Sequence, residues 1–374
     1  MTFLAKLSGR VAWLAVALLG SQTALAQILV GQTAGYTGIA AGNVKEITDG
    51  AKLYLEAVNA RGGINGQKIE LISLDDKFEP KLAAENARIL ITERKVMALF
   101  LSRGTPHSEA ILPLLSQYKV PLVAPSTGAM VLHEPVNRYV FNVRATYQRE
   151  AEKAVMHLGS IGVDRIALLQ VNDSFGNDGT AGAMKGFAKL NLKPVLSEKF
   201  DRAKPDFAPL AKKLAELSPQ AIVFIGTNMA VVDGIKQIRA AGSRAQIVTL
   251  SNNASMGFVK ALAEHAHGTV VSQVFPGERA FAVAMVRELS DLAAAKGMAA
   301  ISPAMLEGFA GAKVLVEGLR RAGNNPNSES LIRGLESLNN YDMGGLKISY
   351  GPKNRTGLEY SDLSIIDNEG KFRR

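Results

Sequence analysis

Short apolar runs alternate along this chain with longer stretches in which apolar residues recur every three or four positions, the rhythm of strands followed by amphipathic helices. The first half predicts a strand over 27–32 and a helix over 43–59, with Val44, Ile47, Ala51, Tyr54, Leu55 and Val58 on one face. Arg61-Gly62-Gly63 ends that helix, because glycine accepts the left-handed turn that closes one. Asn65-Gly66 turns the chain into a strand over 68–75, which ends on Asp75-Asp76. A helix over 81–92, a strand over 96–101, a helix over 108–117 and a strand over 120–124 follow. Such strict alternation predicts a parallel sheet with helices on both faces.

The alternation then restarts, with a helix over 149–159, a strand over 165–170 and a turn over 172–176 that leads into a helix over 179–190. A strand over 194–200, a helix over 207–217, a strand over 221–225 ending on Gly226-Thr227-Asn228 and a helix over 230–241 continue it. A strand over 246–250 ends on Ser251-Asn252-Asn253, and one more strand covers 268–274. No sequence repeat accompanies the second unit, so the duplication is one of architecture. Helices over 280–295, 303–321 and 328–338 precede a closing strand pair over 346–350 and 362–366, with Pro276-Gly277 and Gly344-Gly345 as joints.

The first residues break the pattern. Lys6 and Arg10 flank an apolar run from Val11 to Leu19 that is too short to span a bilayer comfortably, and Ala24-Leu25-Ala26 fits a small-x-small cleavage site. This predicts a signal peptide over 1–26 and export to the periplasm. An uncleaved anchor is the alternative, disfavoured because a polar strand-turn pattern follows at once. Cleavage leaves 348 of the 374 residues, too many for one ordinary core, so two domains are expected. The chain has no cysteine, hence neither a disulfide nor a lipid anchor on one. The net charge of +9 is scattered, with no aromatic-basic stripe, and nucleic-acid binding is not expected.

Two polar turns follow directly on apolar strands: Ser102-Arg103-Gly104-Thr105-Pro106-His107, and Pro125-Ser126-Thr127-Gly128-Ala129. Each is expected to open a helix, where free backbone N–H groups and hydroxyls hold a carboxylate or another acceptor. Neighbouring strands would bring them to one edge. Catalytic constellations are missing: there is no cysteine, no Gly-x-Ser-x-Gly, no His-Glu-x-x-His and no phosphate-binding Gly-x-x-x-x-Gly-Lys. His265-Ala266-His267 is a weak metal signal, and Asp75-Asp76 reads as a turn. The sequence therefore predicts a binding protein, with no enzyme activity, no cofactor and no metal.

Asn59-Ala60-Arg61-Gly62-Gly63-Ile64-Asn65-Gly66-Gln67, then Asp75-Asp76, Val120-Pro121 and Phe141-Asn142-Val143-Arg144 run in order through nearly the whole exported chain. This succession resembles the type I periplasmic binding proteins, and more narrowly the Leu/Ile/Val receptors of ABC importers. The resemblance implies an α/β fold of two Rossmann-like lobes with parallel sheets, joined by a three-crossover hinge. Lobe one would comprise 27–144 plus 276–345, and lobe two 145–275 plus 346–374. It also implies a monomer that closes on a small carboxylate- or amide-bearing ligand, an amino acid or analogue, and delivers it to a membrane permease. A periplasmic sensing subunit for a signalling partner is the alternative; a hydrolytic enzyme fits least.

By position, Thr105, Ser126, Thr127 and Gly128 match the family's ligand turns in lobe one. Ordinary helix capping is the competing reading, and their place at strand ends favours ligand contact. Tyr147 and Phe175 are ligand-facing or core aromatics, both readings being open. Thr227 and Asn228 are further candidates, and Tyr36 is a weaker one. Amino-acid receptors of this family carry an acid on lobe two for the ligand ammonium; Asn252 stands there instead. An amide does not pair a buried charge. A neutral amide, a keto acid or an aromatic carboxylate is thereby favoured, unless Asp173 substitutes. Arg103 and His107 face either the ligand or solvent, with solvent preferred for His107.

Overall fold

The computed structural model describes residues 27–374; the expected signal peptide lies outside the described residues. The first unit runs β1 (Ile28–Ala34), α1 (Ala41–Ala60), β2 (Ile69–Asp75), α2 (Pro80–Thr92), β3 (Ala98–Phe100), α3 (Thr105–Tyr118), β4 (Leu122–Val123) and β5 (Val140–Phe141). The second runs α4 (Tyr147–Ser160), β6 (Ile166–Val171), α5 (Ser174–Lys189), β7 (Leu196–Phe200), α6 (Ala208–Leu217), β8 (Ala221–Ile225), α7 (Asn228–Ala240), β9 (Gln246–Thr249), α8 (Met256–Leu262) and β10 (Val270–Gln273). Then come α9 (Ala284–Ala295), α10 (Pro303–Arg321), α11 (Ser328–Glu336), β11 (Tyr341–Asp342), β12 (Lys347–Ile348), β13 (Asp362–Ile366) and β14 (Phe372–Arg373).

The first sheet is parallel in the order β2-β1-β3-β4-β5. The second has the order β14-β13-β10-β9-β8-β6-β7, of which β6 to β10 are parallel. Counted from β6, those five strands repeat the order of the first sheet, so the architectural duplication is real. Each sheet reverses its winding once, between β1 and β3 and between β6 and β8. Ligands of such sheets lie in the crevice beyond the strand C-termini at that reversal. The chain passes between the two lobes after β5, after β10 and before β13, which is the expected three-crossover hinge.

Helix α1 buries the expected face, Val44, Ile47, Ala51, Tyr54, Leu55 and Val58 among it. It stops where expected: Gly62 and Gly63 have φ of 99° and 72°, and a Cβ on Gly63 would lie 2.0 Å from the Gln67 carbonyl. Against α1 packs α10, buried on nearly every side between the first sheet and its neighbours. The two backbones touch: a Cβ on Gly308 would lie 1.8 Å from the Ile47 carbonyl oxygen, and one on Gly50 2.0 Å from that of Met305.

Four expectations are corrected. The 346–350 segment does not pair with 362–366. β12 pairs with β11, while β13 pairs with β10 and β14. Leu346, Ile348, Tyr350 and Leu358 pack in the first core, and Leu358 N–H donates to the Val143 carbonyl at 2.9 Å, so 346–358 belongs with the first lobe. Gly344-Gly345 is accordingly no joint but the β11–β12 turn, with φ of 108° and 103°. The second polar turn opens no α-helix; a single 3-10 turn, Met130–Leu132, follows it. The short helix α8 and strand β5 have too few residues to register as a periodicity.

Gly308→Ala should lower stability by about 1–3 kcal/mol, since neither backbone can retreat from the added methyl without opening the core. Thermal melts of the exported chain measure this; an unchanged midpoint would contradict the close contact.

Candidate ligand-binding site

The two polar turns are joined to each other before they reach any ligand. Leu101 and Ala124 both take left-handed φ, 53° and 51°, so adjacent strands bend alike. The ladder then continues: Ser126 N–H donates to the Ser102 carbonyl at 2.8 Å, and Gly104 N–H to that of Ser126 at 3.4 Å. Those two N–H groups are thus used within the turns, while those of Thr105, Thr127 and Gly128 have no hydrogen-bond partner among the described residues. Gly104 begins α3 at φ 97°, and a Cβ there would lie 2.6 Å from His107 Nδ1.

A cavity lies between the lobes at the strand ends. Ala40, Phe78, Arg103, Gly104, Thr105 and Ser126 line it from the first lobe, and Tyr147, Phe175, Arg202, Thr227, Asn228 and Asn252 from the other side. Every one of these follows the C-terminal end of a strand or the first crossover. The space open to the centre of a water molecule is about 20 Å³, so the lobes stand closed on each other. Contacts across the cleft hold them there. Arg103 Nη2 donates to the Asn252 carbonyl at 3.0 Å. The Arg202 guanidinium lies 5.3 Å from the centre of the Phe78 ring. Glu46 accepts the N–H groups of Met256 and Gly257 at 3.1 and 2.8 Å, at the start of α8. Ser174 donates to Glu109 at 2.5 Å.

Of the sequence candidates, Thr105, Ser126, Tyr147, Phe175, Thr227, Asn228 and Asn252 line this cavity together. Capping does not account for them. Gly104, not Thr105, caps α3, and Thr227 makes no capping hydrogen bond. Thr127, Gly128 and Tyr36 stand outside the lining. Thr127 is buried with its hydroxyl 2.8 Å from that of Thr105. Gly128 receives the Tyr147 N–H at 2.8 Å, and a Cβ on it would lie 2.5 Å from the Ala145 carbonyl, so it seats α4 against the second turn. The Tyr36 hydroxyl bonds Gln32 and Ser73 at 2.5 and 3.1 Å inside the first lobe. His107 is neither at the ligand nor in solvent. It stacks under Phe78 at 4.4 Å, and burial lowers its pKa to about 4, so it is neutral.

Behind the lining sits a buried charge network. The Arg144 guanidinium pairs with Glu150, donates to Ser251 Oγ at 2.7 Å, stands 4.5 Å from the Tyr147 ring centre and lies 3.9 Å from Glu307. Burial alone would lower its pKa, yet the neighbouring carboxylates, Glu150 foremost, raise it above the ordinary value. Glu150 also accepts the Ser251 N–H at 2.9 Å and the Ser272 hydroxyl. Ser126 Oγ accepts from Arg103 Nη1 at 2.8 Å and donates to Glu307 at 2.6 Å. Asp173 does not substitute for the missing acid: it caps α5 through Gly176 N–H at 3.0 Å and pairs with Arg202 at 2.5 Å.

Sequence reasoning missed Ala40, Phe78, Arg202 and Glu307. Phe78 and Arg202 follow β2 and β7, so the strand-end argument applied to every strand would have reached them. Glu307 announces itself as the one charged residue within the otherwise apolar stretch 303–312 of α10. A larger cavity of about 610 Å³ lies away from these strand ends, against Pro276, Glu278 and Arg374. Arg374 is already engaged there with Tyr360 and the Phe275 carbonyl at 2.5 Å.

The family profile described as "Periplasmic binding protein" matches residues 27–366. This chain belongs to the periplasmic binding protein family. It is 26% identical over 234 residues to an amino acid binding protein of Pseudomonas aeruginosa, an alignment spanning 61% of this chain and 62% of that relative. It is 24% identical over 323 residues to a Leu/Ile/Val-binding protein homolog of Brucella melitensis, covering 84% of each. The crystal structure of a substrate-binding periplasmic protein from Ralstonia solanacearum superposes with a TM-score of 0.86 at 30% identity, over 92% of this chain and 99% of that one. The protein is thus a periplasmic binding protein of type I fold, and the relatives it resembles are binding proteins.

Glu150→Gln should destabilise this binding protein by about 3–5 kcal/mol, because it leaves the buried Arg144 without its nearest counter-charge. Denaturant titration reads the loss; an unshifted midpoint would show that Arg144 does not depend on Glu150.

Proposed function

We propose that this protein is an extracytoplasmic receptor, exported through its first 26 residues as a cleaved signal peptide, that captures a small carboxylate- or amide-bearing ligand between its lobes. It works as a monomer and hands the closed complex to the permease of an ABC importer. The observation that carries this reading is the cavity itself: both lobes line it, and separate cross-cleft contacts close it. A ligand touching both lobes adds to those contacts and so favours the closed form. The relatives, an amino acid binding protein and Leu/Ile/Val-binding proteins among them, favour amino acids or their analogues as the ligand class.

Capture proceeds without chemistry. Ser126 is the one hydroxyl beside a carboxylate in the lining, and it relays between opposite charges. Arg103 donates onto its oxygen while its hydroxyl donates to Glu307. Tyr147 and Phe175, 4.8 Å apart, give an apolar wall. Thr227 and Asn252 offer oxygens from the second lobe.

A thermal-shift screen of the exported chain over amino acids, amides, keto acids and aromatic acids tests the reading. A true ligand at a hundredfold excess over Kd adds about 2.7 kcal/mol of stability. X-ray scattering should then show compaction with that ligand; superposable profiles with and without it would contradict the mechanism. Glu46→Gln removes the charge at the start of α8 and should weaken ligand binding by about two- to fivefold through the closed form. An unchanged Kd would show that this contact does not contribute to closure.

A further inference from the structure

Resting on the receptor reading above, we propose that the ligand is an organic acid without an ammonium group, and that Arg103 is the counter-charge that receives its carboxylate. The chemistry of the lining carries the argument. Among the described residues it holds two arginines, Arg103 and Arg202, and no carboxylate. The acids nearest to it are engaged with protein partners. Glu150 serves Arg144, Ser251 and Ser272; Glu307 serves Ser126 and Arg144; Asp173 serves Arg202 and Gly176. The lining offers an ammonium group two guanidinium ions and no carboxylate to pair with, and an unpaired buried charge is costly.

The unengaged atoms point the same way. Arg103 is 6% exposed and its Nε–H has no partner among the described residues; nor has Arg202 Nη1. Buried donors on a cation without acceptors suit a carboxylate, which accepts from the planar fork. The guanidinium is held in place beforehand, with Nη1 on Ser126 Oγ and Nη2 on the Asn252 carbonyl of the other lobe. An acid bound to Arg103 therefore also bears on the contact that joins the lobes. The other polar atoms left free, Thr227 Oγ1 and Asn252 Oδ1, suit a ligand hydroxyl or amide N–H. Phe78, Tyr147 and Phe175 fit an apolar or aromatic body. Small keto acids and aromatic carboxylates have this composition; a zwitterionic amino acid does not.

Titration calorimetry on the exported chain, with matched pairs, tests this. The probes are the keto acid of leucine against L-leucine, and phenylacetate against L-phenylalanine. The acid of a pair should bind, and its amino acid should bind about a hundredfold more weakly or not at all. Arg103→Gln should weaken the acid by about thirtyfold or more while the cooperative melt is kept, and Arg103→Lys should fall between. Asn252→Asp supplies a second variant: it places a carboxylate beside Arg103 and should weaken the acid while strengthening the amino acid. Equal or tighter binding of the amino acid to the native chain would overturn the assignment and leave the receptor reading standing. Undiminished acid binding by Arg103→Gln would do the same. Absence of binding and of compaction with every probe, amino acids included, would overturn both.

Discussion

A buried charge needs a partner, and Arg144 is the buried charge around which the two lobes are arranged. It closes the first crossover, directly after β5. Its partners come from α4 and the Ser251 turn of the second lobe, and from α10 of the first. One guanidinium thereby fixes the start of α4, on which Tyr147 enters the cavity. Through Glu307 it also fixes Ser126 and, through that hydroxyl, Arg103. Pairing of this kind supplies geometry more than stability. Here it sets where the cavity wall stands relative to the first crossover.

The twin sheets make that arrangement productive. Two sheets of the same parallel order face each other by their strand C-termini, and each presents a winding reversal to the cleft. The turns after β2, β3, β4, β6, β7, β8 and β9 all reach the shared space. The site is thus a consequence of topology; the identity of a few residues on those turns decides what it takes.

Much of this was legible in the sequence. The β-α alternation gave both units, and α1 buried the face that its period marked. Seven candidates met at one cavity because strand ends in such sheets converge by rule. What was hidden depends on distant partners. Arg103 reads equally as a ligand contact or a solvent-facing residue until Asn252 is brought to it from 149 positions away. Asp173 looks like a free acid until Arg202 takes it. The segment 346–358 looks like part of the second lobe because its apolar residues do not say which core they enter. His107 sits in a polar turn but is covered by Phe78, which lies on a different strand end.

The most direct test of this account is a crystal structure of the exported chain with the acid probe that binds most tightly. The account predicts the ligand between the lobes, its carboxylate on the Arg103 guanidinium and its body against Tyr147 and Phe175. A ligand seated instead in the cavity beside Glu278 and Arg374, or one whose carboxylate makes no contact with Arg103, would contradict it.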